Sequence, residues 1–114
     1  MDDAPIVVSK AYDFNLWLVQ KVQKFPRHFR TTLGDRLASS SIDLLLLLLD
    51  AAYTSQKEST LIAANRKLNA IRYLLRMAKD LRLMSIESFG FAVEKIDEIG
   101  RMAGGWRKSV ARPT

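Results

Sequence analysis

Four stretches of this sequence repeat apolar residues at intervals of three and four, and none alternates them with a period of two over a useful length. That spacing places one apolar stripe on each of four α-helices. The first runs from Ser9, read as an N-cap, through Ala11, Phe14, Leu18, Val22 and Phe25, with Trp17 beside it, and Pro26 ends it. The second begins near Arg30, has a weak spot at Gly34, and carries Leu33, Leu37, Ser41, Leu44, Leu48 and Ala52 before leaving near Thr54. Ser55 and Glu58 have the spacing of a capping box, so a third helix starts there and turns Leu61, Ala64, Leu68, Ile71, Leu75, Ala78 and Leu81 inward. Ser85 is read as the N-cap of the fourth, with Ile86, Phe89, Val93, Ile96, Gly100 and Ala103 on its inner side and Trp106 as a packing anchor near its end.

Three short connections between four such helices predict an all-α, up-down-up-down antiparallel four-helix bundle. The chain has 114 residues, enough for a single domain over 1–114 with one continuous core. Apolar residues make up 48% of it and charged ones 26%, the balance of a folded chain and not of a disordered tail. The opening MDDAPIVVS has two acids where an export signal has a basic segment, and the last residues, 111–114, are expected to fray. No cysteine is present, which excludes disulfides, thiolate metal sites and thiol nucleophiles and agrees with a cytoplasmic location.

Leu44 to Leu49, bounded by Asp43 and Asp50, is the densest apolar run, well short of the roughly 20 residues that cross a bilayer, so no membrane partner is expected. It faces every direction around its helix, and one core covers only about half of it. Either neighbouring side chains shield the rest, or Leu45, Leu46, Leu47 and Leu49 form a homo-oligomer interface; the second reading is favoured.

Eighteen Lys and Arg against twelve Asp and Glu give a net charge of +6, so anionic partners are favoured. Between Arg66 and Arg82 stand Arg66, Lys67, Arg72, Arg76, Lys79 and Arg82 with Asp80 as the acid, whereas Asp35 to Asp50 is net acidic. On a helical wheel Arg72, Arg76 and Lys79 fall within about 60° of one another, with Asn65 and Asn69 in the same sector. No Glu stands four residues from Arg72 or Arg76, so the ridge is read as open to phosphate, with weak sequence readout. Lys21, Lys24, Arg27 and Arg30 around the first turn, and Arg101, Arg107, Lys108 and Arg112 toward the C-terminus, extend the candidate surface. A merely solvated charged flank is the plainer alternative.

Chemistry is harder to place. His28 is the single histidine and has no nearby carboxylate in sequence, so neither a metal centre nor an acid–base pair can be assembled, and no cofactor or catalytic residue is expected. Gly104-Gly105 fits no phosphate-loop pattern and is read as a point of close helix approach or a helix end.

Three strings together resemble the small bundle proteins that include the accessory variability determinant (Avd) of diversity-generating retroelements: Phe25-Pro26-Arg27-His28-Phe29-Arg30 with Leu33-Gly34-Asp35-Arg36, Ile71-Arg72-Tyr73-Leu74-Leu75-Arg76 with Ala78-Lys79-Asp80-Leu81, and Glu98 through Trp106. A distant likeness to the bundle proteins of ribosomal RNA intervening sequences goes with it. The resemblance implies a barrel-like homopentamer of four-helix bundles that binds a dedicated reverse transcriptase and its template RNA in mutagenic retrohoming. It also implies that Arg72, Arg76 and Lys79 belong to the binding surface. The leading expectation is therefore a non-enzymatic, nucleic-acid-binding accessory protein. A structural oligomeric bundle docking an acidic protein is the alternative.

Overall fold

In a computed structural model, which describes residues 5–111, four long helices stand side by side: α1 (Ile6–Val22), α3 (Asp35–Tyr53), α4 (Lys57–Asp80) and α5 (Ile86–Ala111). A one-turn helix α2 (Arg27–Phe29) and a π-helical stretch, Arg30–Gly34, lead into α3. There is no strand among the described residues. Each long helix packs against the next, α1 on α3, α3 on α4, α4 on α5, and α5 returns to α1 along the slightest of the four seams. The result is the expected up-down-up-down bundle, a rod of 50 × 23 × 20 Å. Arg112 and the rest of 112–114 lie outside the described residues.

Three apolar stripes occupy the core as their spacing requires. Ala11, Phe14, Leu18, Val22 and Phe25, then Leu33, Leu37, Ser41, Leu44 and Leu48, then Leu61, Ala64, Leu68, Ile71, Leu75 and Ala78 are all buried. A fully buried Leu or Ile contributes about 2 kcal/mol, so these layers outweigh any surface contact. Departures occur at the ends. Ala51, not Ala52, faces inward at the foot of α3, and Leu81 is exposed beyond the last turn of α4. The fourth stripe is rotated: Ala92, Ile96, Ile99 and Ala103 are buried, Ile86 is 80% exposed, and Phe89, Val93 and Gly100 are only half-buried. Because α5 must cover both α4 and α1, its buried line runs between these two seams.

The helix boundaries differ from the sequence reading at two caps. Helix α1 starts at Ile6, after Pro5, and the Ser9 hydroxyl donates back to the Ile6 carbonyl at 2.9 Å instead of capping. The Ser55/Glu58 capping box is not formed: the Gln56 N–H donates to Thr54 Oγ1 at 3.0 Å, a local turn that moves the start of α4 to Lys57. Lys57 Nζ then reaches back to the Ala51 and Thr54 carbonyls at 2.8 and 3.0 Å, satisfying the end of α3. Ser85 does cap α5, its Oγ accepting from the Ser88 N–H at 3.0 Å.

Two backbone features close the other connections. Pro26 accepts at its carbonyl from Phe29 and Arg30, so it opens α2, and the Asp35 N–H reaches the Arg30 carbonyl five residues back, the π-type bond. Arg82 is left-handed, with φ 61°, where helices commonly place glycine; the Arg82 and Leu83 N–H groups donate to Lys79 and Ala78, ending α4 as a Schellman motif.

Candidate nucleic-acid interface

The basic ridge of α4 borders α5, and there its charges meet acids that the local sequence does not reveal. Arg72 Nε donates to Asp97 Oδ1 at 3.1 Å, and its Nη1 to Asn69 Oδ1 at 2.9 Å. Gly100 leaves room for the guanidinium over α5, since a Cβ there would stand 2.9 Å from Arg72 Nη2. Arg76 lies 3.9 Å from Asp80 one turn on, and Lys79 lies 3.5 Å from the same carboxylate and 4.9 Å from the centre of the Phe89 ring. The expectation that Arg72 and Arg76 are free of compensating acids is therefore corrected. Arg72 is paired across the seam with Asp97, and Arg76 loosely with Asp80 at i+4, a carboxylate it shares with Lys79. These pairs are at least one-third exposed, so each is worth about 0.5 kcal/mol and yields readily to a better anion.

The remaining cations fall into two groups that the fold keeps apart. Lys21, Lys24, Arg27 and Arg30 lie where α1 gives way to α3, at the end of the rod shared with the α4–α5 connection. Lys21 Nζ sits 5.5 Å from the Trp17 ring, and Arg30 Nη1 donates to the Gln23 carbonyl at 3.2 Å. Arg66, Arg101, Arg107 and Lys108 are exposed on the first half of α4 and the second half of α5, and make no ion pair among the described residues. Asn65, Gly104, Arg107 and Lys108 line a shallow pocket of about 320 Å³, with Leu61, Ala103 and Ala111 as its apolar part and Glu58 at its edge. The acids of α5 gather in its other half, at Glu87, Glu94, Asp97 and Glu98. The larger excess of positive charge therefore sits at the Arg66–Lys108 end of the α4–α5 side, while the ridge keeps Arg72, Arg76 and Lys79 against the carboxylates of Asp97 and Asp80.

The opposite side of the rod is apolar. Leu46 is 53% and Leu49 38% exposed, and with Ile42 and Tyr53 they form a line at intervals of four, three and four along α3. Leu45 and Leu47 are half-buried against the core, and Leu47 turns toward the α3–α4 seam, about 130° from that line. Of the four leucines expected at an oligomer interface, Leu46 and Leu49 are thus exposed on this line, and Leu45 and Leu47 flank it half-buried. Exposed Tyr12 and Leu16 of α1 stand on the side toward α3, where Asn15 Nδ2 donates to the Ser41 carbonyl at 2.9 Å. Sequence reading missed Tyr12, Leu16, Ile42 and Tyr53, because single apolar residues outside a core stripe carry no signal until two helices place them side by side.

Gly104 and Gly105 neither end α5 nor admit another helix: α5 runs on to Ala111, and a Cβ at either position would meet nothing within 4 Å. Trp106 packs against the core as expected. His28 rests on Phe29, ring centres 4.2 Å apart. No cluster of three or more His, Cys, Asp or Glu among the described residues could hold a metal ion, and no described helix is long and apolar enough to cross a membrane.

No curated protein matches the chain. Comparison with known families matches residues 5–110 to the family described as bAvd-like, which is nearly the whole bundle and includes all three strings that carry the Avd resemblance. This chain belongs to the bAvd-like family.

Proposed function

We propose that this chain is a cytoplasmic, non-enzymatic accessory protein of a diversity-generating retroelement, which binds template RNA and the reverse transcriptase through its α4–α5 side. The observation that carries the reading is the excess of exposed, uncompensated cations at Arg66, Arg101, Arg107 and Lys108 in a chain of the bAvd-like family. Backbone phosphates are the partner such a surface suits, since it offers several guanidinium groups and no shaped, sequence-reading element. Arg72, Arg76 and Lys79 join it when phosphate displaces Asp97 and Asp80. The chain works as a homo-oligomer, a closed ring of five in the form the resemblance implies, joined through the apolar α1–α3 side so that copies of the basic side point outward.

The test is a salt titration of RNA binding by the wild type and by Arg66→Ala/Arg107→Ala/Lys108→Ala. The wild type is expected to show a steep fall of log K with log salt, and the triple variant a slope lower by about two to three and binding weaker by at least tenfold at low salt. Absence of RNA binding by the wild type at low salt sinks the reading. Capture of the reverse transcriptase that survives nuclease treatment but is lost in the triple variant supports direct polymerase contact. Nuclease-resistant capture of an unrelated acidic protein instead favours a structural bundle docking such a partner.

A further inference from the structure

Tyr73 is exposed where a folding argument has no use for it. It is 68% exposed on α4, makes no ring contact or hydrogen bond among the described residues, and is a poorer helix former than the Lys, Arg or Glu that suit such a position. Its neighbours on the outward face are specific. Asn69 stands one turn before it and Arg66 two turns before; Arg76 and Met77 stand one turn after, and both arginines are exposed. Arg66 makes no ion pair among the described residues, and Arg76 has only the loose 3.9 Å approach to Asp80. From Arg66 to Arg76 the face spans about 15 Å.

An aromatic face between two guanidinium groups is the arrangement by which proteins hold unpaired bases: the ring stacks on one base while the cations hold the phosphates on either side. We propose that Tyr73 is a stacking platform for an unpaired base of single-stranded RNA, with Arg66 and Arg76 on the flanking phosphates and the Asn69 amide beside the base edge. This rests on the RNA-binding reading above and adds that the face selects single strands over duplex. A duplex keeps its bases stacked on one another and offers Tyr73 nothing, whereas the cations bind both forms.

The experiment measures binding of the full chain to a fluorescent 12-nucleotide single strand carrying 2-aminopurine, and to a blunt duplex of the same length, at several salt concentrations. Tyr73→Ala is expected to weaken single-strand binding by about 5- to 100-fold, leave the salt slope and duplex affinity unchanged, and abolish the 2-aminopurine quenching seen with the wild type. Tyr73→Phe keeps the ring and should behave as wild type. Arg66→Ala should lower the salt slope by about one on both forms. Equal single-strand binding by Tyr73→Ala and wild type overturns the platform while leaving the RNA-binding reading intact, and so does an equal loss on duplex. A wild type that binds neither form overturns both.

Discussion

The α1–α3 and α4–α5 sides of this bundle bury similar aliphatic stripes and differ in what they leave outside. Beyond the α1–α3 seam stand Tyr12, Leu16, Ile42, Leu46 and Leu49, uncovered carbon with little charge between them. Beyond the α4–α5 seam stand Arg66, Arg76, Arg101 and Lys108, with ion pairs lacing the seam itself at Arg72–Asp97. Because the helices pack in the ring α1, α3, α4, α5, these sides face opposite ways. The contrast teaches that net charge says little about this molecule: the exposed aliphatic line of Ile42, Leu46 and Leu49 and the exposed cations Arg66, Arg101, Arg107 and Lys108 lie on opposite faces, so that one can be buried in self-association without covering the other.

The comparison breaks most completely if the apolar side is given charge. Leu46→Glu with Leu49→Glu places two carboxylates in the line on α3, at positions already solvent-exposed, so the bundle itself should keep its helical circular dichroism. Light scattering is expected to show the assembly falling to monomer, and RNA affinity to fall by about a hundredfold through lost multivalency alone. An unchanged mass would leave the α1–α3 side without its assigned role.

Each side also holds a position that costs stability for no internal reason, and these give the next two effects. On α5, Gly104→Ala with Gly105→Ala adds methyl groups into open space within a helix, and is expected to stabilise by about 2 kcal/mol, raising Tm by roughly 8 °C. Weakened RNA binding in the stabilised variant would mean that the bare backbone is kept for close approach of the nucleic acid. On the other side, the buried Ser41 hydroxyl and Asn15 Oδ1 have no hydrogen-bond partner at the α1–α3 seam. Ser41→Ala removes one of them and favours the helix, for an expected gain of about 1 kcal/mol in denaturant unfolding. A loss of stability would mean that the hydroxyl is hydrogen-bonded through water.

Core positions were legible wherever a helix has one stripe facing one interior. Leu44, Leu48, Leu68 and Leu75 could be placed by spacing alone, because burial of a Leu side chain outweighs every competing surface preference. The rotation of α5 was not, since its line of Ala92, Ile96, Ile99 and Ala103 is a compromise between two neighbours and Ala carries a weak apolar signal. Caps were half legible: Ser85 needed only its own helix, whereas Lys57 acts on carbonyls of the preceding one. The candidate surface was least legible. Arg72 reads as an uncompensated cation along α4, and only the packing of α5 against α4 brings Asp97 within 3.1 Å.

That ion pair carries the smallest and most discriminating prediction. Asp97→Asn leaves an oxygen to accept from Arg72 Nε but removes the carboxylate charge, and because both side chains are more than one-third exposed the stability change should stay within about 0.5 kcal/mol. Binding should respond more. Removal of an acid from the basic side raises RNA affinity about two- to threefold at low salt through the general field. If Arg72 then takes a phosphate in place of Asp97, the salt slope steepens by close to one as well. Arg72→Ala on the Asp97→Asn background should cancel that steepening. If the slope stays fixed in both variants, Arg72 serves to tie α4 to α5, and the phosphate contacts of this side belong to Arg66, Arg76, Arg101, Arg107 and Lys108 alone.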